Sequence, residues 1–444
     1  MYSNVLFVVI SYYIHSSLAG TVSTELLSKL KNGEKVNAIL ELPSVFDKVM
    51  SNPALSLLSG NGKSNMMEIL MKQATSSSQA PLLSAIKGFG ISATPFWITN
   101  DICLNNVDLK AVQSLGALPG VFNIREELIP LLDPVVVQPA RTKRVAFDEY
   151  TKKYPHWGVN KIEAPAAWSK TKGENVIVAI IDSGVFLEHE ALKDGYAGWF
   201  DAVENATNPI DSTAHGSHAL GTILGRTNNI GVAPRAKWIA CRAFNKDGGQ
   251  ERWIKSCAQW VFQQRPRVVS NSWGTASRSS TGYDDMIRTW RAANIIPVFS
   301  SGNLGGNCSS IRYPGNYADV ISVGSTTKSD AISGFSSRGP STRTPMNKPD
   351  ISAPGEWIIS VGQDDTKDYT AMSGTSMACP HVAGVVALLL SANPTWKYDD
   401  VLAALTRTAD RPSVTTKCGE TPVNGYPNYA YGYGRVNAKR AVGL

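Results

Sequence analysis

A chain of 444 residues is too long for one small module and by length suggests two or three domains. Hydrophobic residues at 43% against 18% charged exclude a mainly disordered chain. A net charge of +7, spread without a long basic block, gives no footprint for nucleic acid, and no apolar run reaches the roughly 18 to 20 residues of a membrane span; neither partner is expected.

The first residues hold a short apolar stretch, Val5 to Ile14, followed by Ser17-Leu18-Ala19 with small residues at minus three and minus one. Residues 1–19 therefore read as a secretory signal, although no Lys or Arg precedes them. A buried N-terminal strand is the alternative. Asn205-Ala206-Thr207 and Asn307-Cys308-Ser309 are glycosylation sequons compatible with secretion.

Residues 20–144 carry one Cys, no His and little else that does chemistry. A strand is predicted at Lys35 to Leu42, loops at Ser59 to Asn65 and Thr75 to Gln79, a helix near Leu109 to Leu115 and a strand at Val121 to Arg125, which together make a small α+β module. Pro134-Val135-Val136-Val137-Gln138-Pro139 reads as an extended linker. The basic cluster Arg141-Thr142-Lys143-Arg144 beyond it is either an exposed protease site, marking a removable segment, or a solvated charge run.

From residue 145 onward, apolar strands alternate with helices, the pattern of an α/β domain built on a mostly parallel sheet. Strands are predicted at Val176 to Ile181, Trp238 to Phe244, Val268 to Asn271, Ile295 to Phe299 and Val320 to Val323. Helices are predicted near His215 to Leu224, Arg252 to Gln264 and Asp284 to Ala293.

The chain has six histidines, few enough to search them all for a general base. His15 lies in the signal, His156 in an approach segment, His189 on a predicted surface loop, and His381 on the helix that follows Ser376. His215 and His218 remain, within Ala214-His215-Gly216-Ser217-His218, where small residues let a helix start approach other backbone closely. No carboxylate or Cys stands at ligand spacing beside them, so a metal is not expected. Asp182 ends the buried strand at Ile180-Ile181-Asp182-Ser183-Gly184, where α/β sheets place their sites, although Asp there is also a common turn residue. Ser376 stands in Ser373-Gly374-Thr375-Ser376-Met377-Ala378 at the start of an apolar helix that ends at Asn393-Pro394. That position puts its hydroxyl at the positive end of a buried helix dipole.

Asp182-Ser183-Gly184, His215-Gly216-Ser217-His218 and Gly374-Thr375-Ser376-Met377-Ala378, in that order, resemble the three signatures of the subtilisin-like serine proteases. The order Asp, His, Ser differs from that of lipase-type α/β hydrolases, in which the His follows the Ser. The resemblance covers nearly all of residues 145–444. It implies a three-layer α/β fold and an endopeptidase that cleaves protein substrates through an acyl-enzyme, with Ser376 as nucleophile, His215 as base and Asp182 orienting it. It further implies Asn303, in Ser300-Ser301-Gly302-Asn303, as oxyanion donor, with Ser301 and Gly302 beside it and Ser272-Trp273-Gly274 binding substrate backbone and walling the pocket for the residue before the scissile bond. Trp273 hints at an apolar wall there. Asn271-Ser272-Trp273-Gly274 is more similar to the bacillopeptidase F branch than to subtilisin proper.

By the same resemblance Gly120-Val121-Phe122-Asn123-Ile124-Arg125-Glu126-Glu127 looks like the last strand of an inhibitory propeptide, so residues 20–144 would be a pro-region acting as intramolecular inhibitor. Whether it is released autocatalytically or by a convertase near Arg144 stays open. After Asn228-Asn229-Ile230-Gly231-Val232-Ala233-Pro234 the chain lacks the residues with which many bacterial members wrap calcium. No cofactor is expected, and weak structural calcium elsewhere stays open. A secreted monomer is expected, with a catalytically inactive binding relative as the alternative. The main domain holds Cys241, Cys257, Cys308, Cys379 and Cys418, an odd number that leaves one thiol free. Cys379 is the candidate; Cys241 with Cys257 is the expected bridge and Cys308 with Cys418 what remains, against an alternative of five reduced thiols.

Overall fold

A computed structural model of the chain describes residues 19–132, 136–137, 156–275, 282–343, 347–413, 418 and 425–444. The signal-peptide reading of residues 1–18 and the basic cluster at 141–144 lie outside the described residues. The chain divides into two compact units, Met1–Glu127 and Leu128–Leu444.

The smaller unit is a five-stranded sheet with helices. Its strands are β1 (Thr21–Val22), β2 (Val36–Glu41), β3 (Ala93–Phe96), β4 (Asp101–Val107) and β5 (Asn123–Glu126), in the order β1-β5-β2-β4-β3. Only β1 and β5 pair in parallel. Three helices of eight residues or more accompany them: α1 (Thr24–Lys31), α2 (Gly60–Gly88) and α3 (Leu109–Gly116). Their core includes Leu26, Leu40, Leu82, Ile102, Val112 and Ile124.

The loops expected at 59–65 and 75–79 are a correction, because both lie within the 29-residue helix α2. Its buried positions are Ser64, Met67, Met71, Thr75, Gln79, Leu82 and Ile86, a spacing of three and four that defines a helical face. Polar residues hold several of those positions and so hide the period. They are accommodated by turning their polar groups onto backbone. Ser64 Oγ donates to Gly60 O at 3.4 Å and Thr75 Oγ1 to Met71 O at 2.9 Å, while Gln79 Nε2 donates to Phe96 O at 3.0 Å.

The larger unit begins with two short strands, β6 (Leu131–Leu132) and β7 (Val136–Val137), and is organised around a parallel seven-stranded sheet. That sheet contains β8 (Ile177–Asp182), β9 (Tyr196–Asp201), β10 (Lys237–Arg242), β11 (Val268–Asn271), β13 (Ile296–Ser300), β14 (Ile321–Thr326) and β15 (Ile351–Pro354); β12 (Trp273–Gly274) lies outside it. The order is β15-β14-β13-β11-β8-β10-β9, every pair parallel. From β8 the chain builds outward to β9 and β10 and then returns to the other flank of β8 with β11. The order therefore reverses beside the carboxyl end of β8, where open α/β sheets bind ligands. Two further strands, β16 (Ile358–Val361) and β17 (Tyr369–Ser373), form an antiparallel pair.

Four helices matter for the site: α4 (His215–Leu224), α5 (Glu251–Gln264), α6 (Asp284–Ala292) and α7 (Thr375–Ala392). α7 is apolar and long enough, by length and composition, to cross a membrane, yet it is the central core helix, packed on α4 and on strands β11, β13, β14 and β15. Val382, Val385, Leu388 and Leu389 are all fully buried in one cluster with Val178, Val298 and Val323 of the sheet. Covering an all-apolar helix on every side is what stabilises it. Disulfides join Cys241 to Cys257 and Cys308 to Cys418, and Cys379 is a buried free thiol, as the sequence suggested.

Candidate active site

Three elements bring Asp182, His215 and Ser376 to the carboxyl edge of the sheet. Asp182 is the last residue of β8, His215 the first of α4, and Ser376 lies in the first turn of α7. All are buried, with exposures of 0%, 3% and 0%. His215 Nδ1 donates to Asp182 Oδ1 at 2.7 Å. The same oxygen accepts the Ser183 N–H at 2.7 Å.

The close approach of α4 to β8 depends on Gly216. A Cβ there would stand 2.1 Å from Gly184 O and 3.2 Å from Asp182 Cβ, so only glycine lets the helix start this near the strand end. Asp211, which sequence reasoning passed over, fixes the junction. Its Oδ2 accepts from Ser217 N–H and Oγ at 2.9 and 2.6 Å, and its Oδ1 accepts from Ser183 Oγ at 2.8 Å. Ser183 Oγ in turn accepts the Gly216 N–H at 3.0 Å. Nothing in the spacing of Asp211 marks it beforehand, since its partners lie six and twenty-eight residues away.

Ser376 is fixed from the strand side. Pro380 lies inside α7 and has no N–H for the carbonyl four residues back, which is that of Ser376. Ser272 supplies the missing donor, its Oγ reaching Ser376 O at 3.0 Å, while Ser376 Oγ donates to Ser272 O at 3.3 Å. The two helix starts meet in an apolar cluster that contains Ala214, just before His215, and Met377, just after Ser376. In the first turn of α7 the Ser376 N–H has no carbonyl four residues back within the helix, and the dipole adds partial positive charge there.

Asn303 follows β13 and is aimed by Thr375. Its Oδ1 accepts both the Thr375 N–H at 2.9 Å and the Thr375 Oγ1 hydroxyl at 2.8 Å. Because a backbone N–H can only donate, these contacts assign the carbonyl oxygen to the Thr375 side and direct the Nδ2 donor the other way. Ser301 and Gly302 have their main-chain groups engaged with Val323, Arg312, Thr375 and Ser337, so they serve to position Asn303. Gly302 has a φ of 106°, and a Cβ on it would stand 2.9 Å from Arg312 Cγ.

Two expectations need correction. The Trp273 indole is fully buried among Phe244, Tyr283 and Phe299, its Nε1 donating to Asn271 Oδ1 at 3.1 Å, so its side chain belongs to the core and offers no exposed apolar wall. His189 is buried with its ring bonded to Asp368 O at 2.8 Å, because β17 and its approach cover the loop after β8. Of the other described histidines, His218 and His381 are buried and His156 is half-buried. Burial pushes His218 down to about 3, His156 to about 3 and His381 to about 4. His218 Nε2 donates to Ile358 O at 2.9 Å and His381 Nδ1 to Met377 O at 2.8 Å, both as neutral rings. Burial likewise pushes the Cys379 thiol up to about 12, which makes it inert as a nucleophile. Among the described residues no group of three or more His, Cys, Asp or Glu could hold a metal ion.

The family model of the subtilase family matches residues 173–434, which hold all three of these residues and Asn303. The chain belongs to the subtilase family. Bacillopeptidase F of Bacillus subtilis (strain 168) is 40% identical over 320 residues, 64% of this chain but only 22% of that protein. Subtilisin E of the same strain is 33% identical over 344 residues, 76% of this chain and 79% of the relative. Thermitase of Thermoactinomyces vulgaris is 33% identical over 303 residues, 66% of this chain and 99% of the relative. The subtilase fold accounts for the parallel sheet with flanking helices, and the family's class of activity is that of a serine endopeptidase.

Proposed function

We propose that this subtilase is a secreted serine endopeptidase, made as a zymogen, in which Ser376 attacks the peptide carbonyl, His215 takes and returns the proton, and Asp182 orients the imidazole. The observation that supports this most is the buried 2.7 Å pair of Asp182 and His215 at the start of α4, beside the helix that carries Ser376. A carboxylate on Nδ1 holds the tautomer in which Nε2 is the base and stabilises the imidazolium once it forms. The tetrahedral oxyanion is bound by Asn303 Nδ2 and the Ser376 N–H. Substrate pairs as an added strand with Trp273–Gly274. Residues 20–144 act as the inhibitory pro-region, with the signal at 1–19 removed on secretion and residues 145–444 forming the catalytic domain.

The test is Ser376→Ala in the otherwise intact protein. Hydrolysis of denatured casein is expected to fall about 10⁶-fold in kcat, a magnitude taken from subtilisin itself, with folding unchanged by circular dichroism. Hydrolysis at an undiminished rate in that variant would remove the assignment.

A further inference from the structure

We propose that Arg312 is the specificity residue of this protease and selects substrates with Asp or Glu immediately before the scissile bond. The proposal rests on the endopeptidase reading above and adds the substrate class.

β6 pairs antiparallel with β12, Leu132 opposite Trp273 and Leu131 opposite Gly274. On the other side of Ser376, β7 pairs antiparallel with β17, Val136 opposite Ser373 and Val137 opposite Met372. Peptide thus runs as added strand along both sides of the nucleophile, in the manner of a substrate. A substrate strand continuing this antiparallel register by one position would set a residue opposite Ser272, whose carbonyl accepts the Ser376 hydroxyl at 3.3 Å. That register position is therefore the one whose carbonyl is attacked.

Chain neighbours of the Trp273–Gly274 and Ser301–Asn303 segments line one cavity: Thr275, next after Trp273–Gly274, and Leu304, next after Asn303. The segment with Arg312 closes the space between them: Arg312 N–H donates to Ser301 O at 3.0 Å, and Thr275 N–H to Tyr313 O at 2.8 Å. Its stem is clamped by the glycines, since a Cβ on Gly274 would lie 2.9 Å from Arg312 Cβ and one on Gly302 2.9 Å from Arg312 Cγ. A cavity of about 170 Å³ lies here, lined by Thr275, Leu304, Arg312, Tyr313 and Thr342 among others. Among the described lining residues Arg312 is the one with a charged side chain. It is only 9% exposed, with Nε and Nη1 shielded from solvent.

A guanidinium stays charged at every working pH and offers a planar fork that fits a carboxylate with two parallel hydrogen bonds. Where the Arg312 side chain is largely screened from solvent the pairing is strengthened by a lowered dielectric, and a lysine or arginine in the substrate would be repelled. A neutral isostere offers the fork no carboxylate and so forfeits the charge-assisted pair, the kind of difference that gives large discrimination.

The experiment uses the secreted protein produced from the full chain. A fluorophosphonate probe first establishes Ser376-dependent labelling, and kcat/KM is then measured on tetrapeptide anilides that differ only at the last residue: Asp, Glu, Asn, Gln, Ala, Phe or Lys. Asp or Glu is expected to exceed Asn and Gln by on the order of 10- to 100-fold, with Lys poorest. Arg312→Met should abolish the acidic preference and raise Phe, and Arg312→Lys should keep part of it. An enzyme that labels and cleaves, yet treats Asn and Asp alike or prefers Phe or Lys, overturns the proposal while leaving the endopeptidase reading intact. Retention of the acidic preference by labelled Arg312→Met overturns it as well. Should that variant fail to label, the wild-type comparison of Asp with Asn and the Arg312→Lys profile still decide; absence of labelling in the wild type defeats the endopeptidase reading itself, and this proposal with it.

Discussion

The two longest helices among the described residues, α2 and α7, are built on opposite plans. α2 in the smaller unit buries Ser64, Thr75 and Gln79 in line with Met67, Met71, Leu82 and Ile86, and makes its hydroxyls and amide tolerable by hydrogen bonds to backbone. α7 in the larger unit buries residues on every side and carries Ser376, the proposed nucleophile, at its first turn. The difference shows that a helix can be held either by satisfying its polar groups locally or by leaving none to satisfy. Only the second plan gives a support that resists displacement when chemistry is done at its end.

The contrast is most sharply tested by acid. The smaller unit has no histidine between residues 19 and 127, whereas the larger holds His218 and His381 buried and His156 half-buried, all three as neutral rings. An unfolded imidazole takes up its proton near pH 6.5, but these rings resist it until about pH 3 to 4. Their contribution to stability is therefore complete above about pH 6.5 and is lost as pH falls toward 4. The slope is about 1.4 kcal/mol per pH unit for each ring, ~4 for the three. Differential scanning calorimetry of the Ser376→Ala protein, free of self-digestion, should show the transition of the larger unit dropping steeply between pH 6.5 and 4.5 while that of the smaller unit moves much less. Parallel movement of both would break the comparison.

At the active end of α7, Asn303→Leu should lower kcat by about 10²- to 10³-fold with little change in KM, a loss taken from the equivalent donor of subtilisin. Steady-state kinetics on a peptide anilide measures it, and a loss confined to KM would contradict an oxyanion role. In the middle of the same helix Leu388→Ala should cost about 2 to 5 kcal/mol, because the surrounding sheet cannot collapse onto the space. Urea denaturation reads that change. The counterpart in α2 is Thr75→Val, which removes one hydroxyl whose acceptor, Met71 O, lies on the same helix. The effect is expected to stay within about 1 kcal/mol. A larger loss there than for Leu388→Ala would reverse the ranking of the two plans.

These same helices show what was legible in the sequence. α7 could be read from its unbroken apolar run and the small residues around Ser376, and the strand that ends in Asp182 from its continuous Ile and Val. Five of the seven strands of the large sheet and α4 fall within a few residues of expectation, since burial on both faces leaves a strong local signal, whereas β9 and β15 were not anticipated. α2 was hidden because hydroxyls and an amide occupy face positions that pattern reasoning reserves for apolar residues. Trp273 misled for the opposite reason: its composition says apolar surface, but its environment, three aromatic rings and Asn271, is assembled from distant segments. Asp211, Thr375 and Arg312 act through contacts with residues far along the chain and leave no periodic trace.

The bonding of Asn303 to Thr375 has a kinetic consequence. On the roles proposed above, the group that receives negative charge is fastened to the neighbour of the group that creates it, not only to its own loop. Thermal excursions of that loop then carry donor and nucleophile together, so the spacing between them fluctuates less than either position does. Sensitivity of turnover to temperature or to viscosity should accordingly arise at the entry and exit of peptide rather than in the alignment of the reacting atoms.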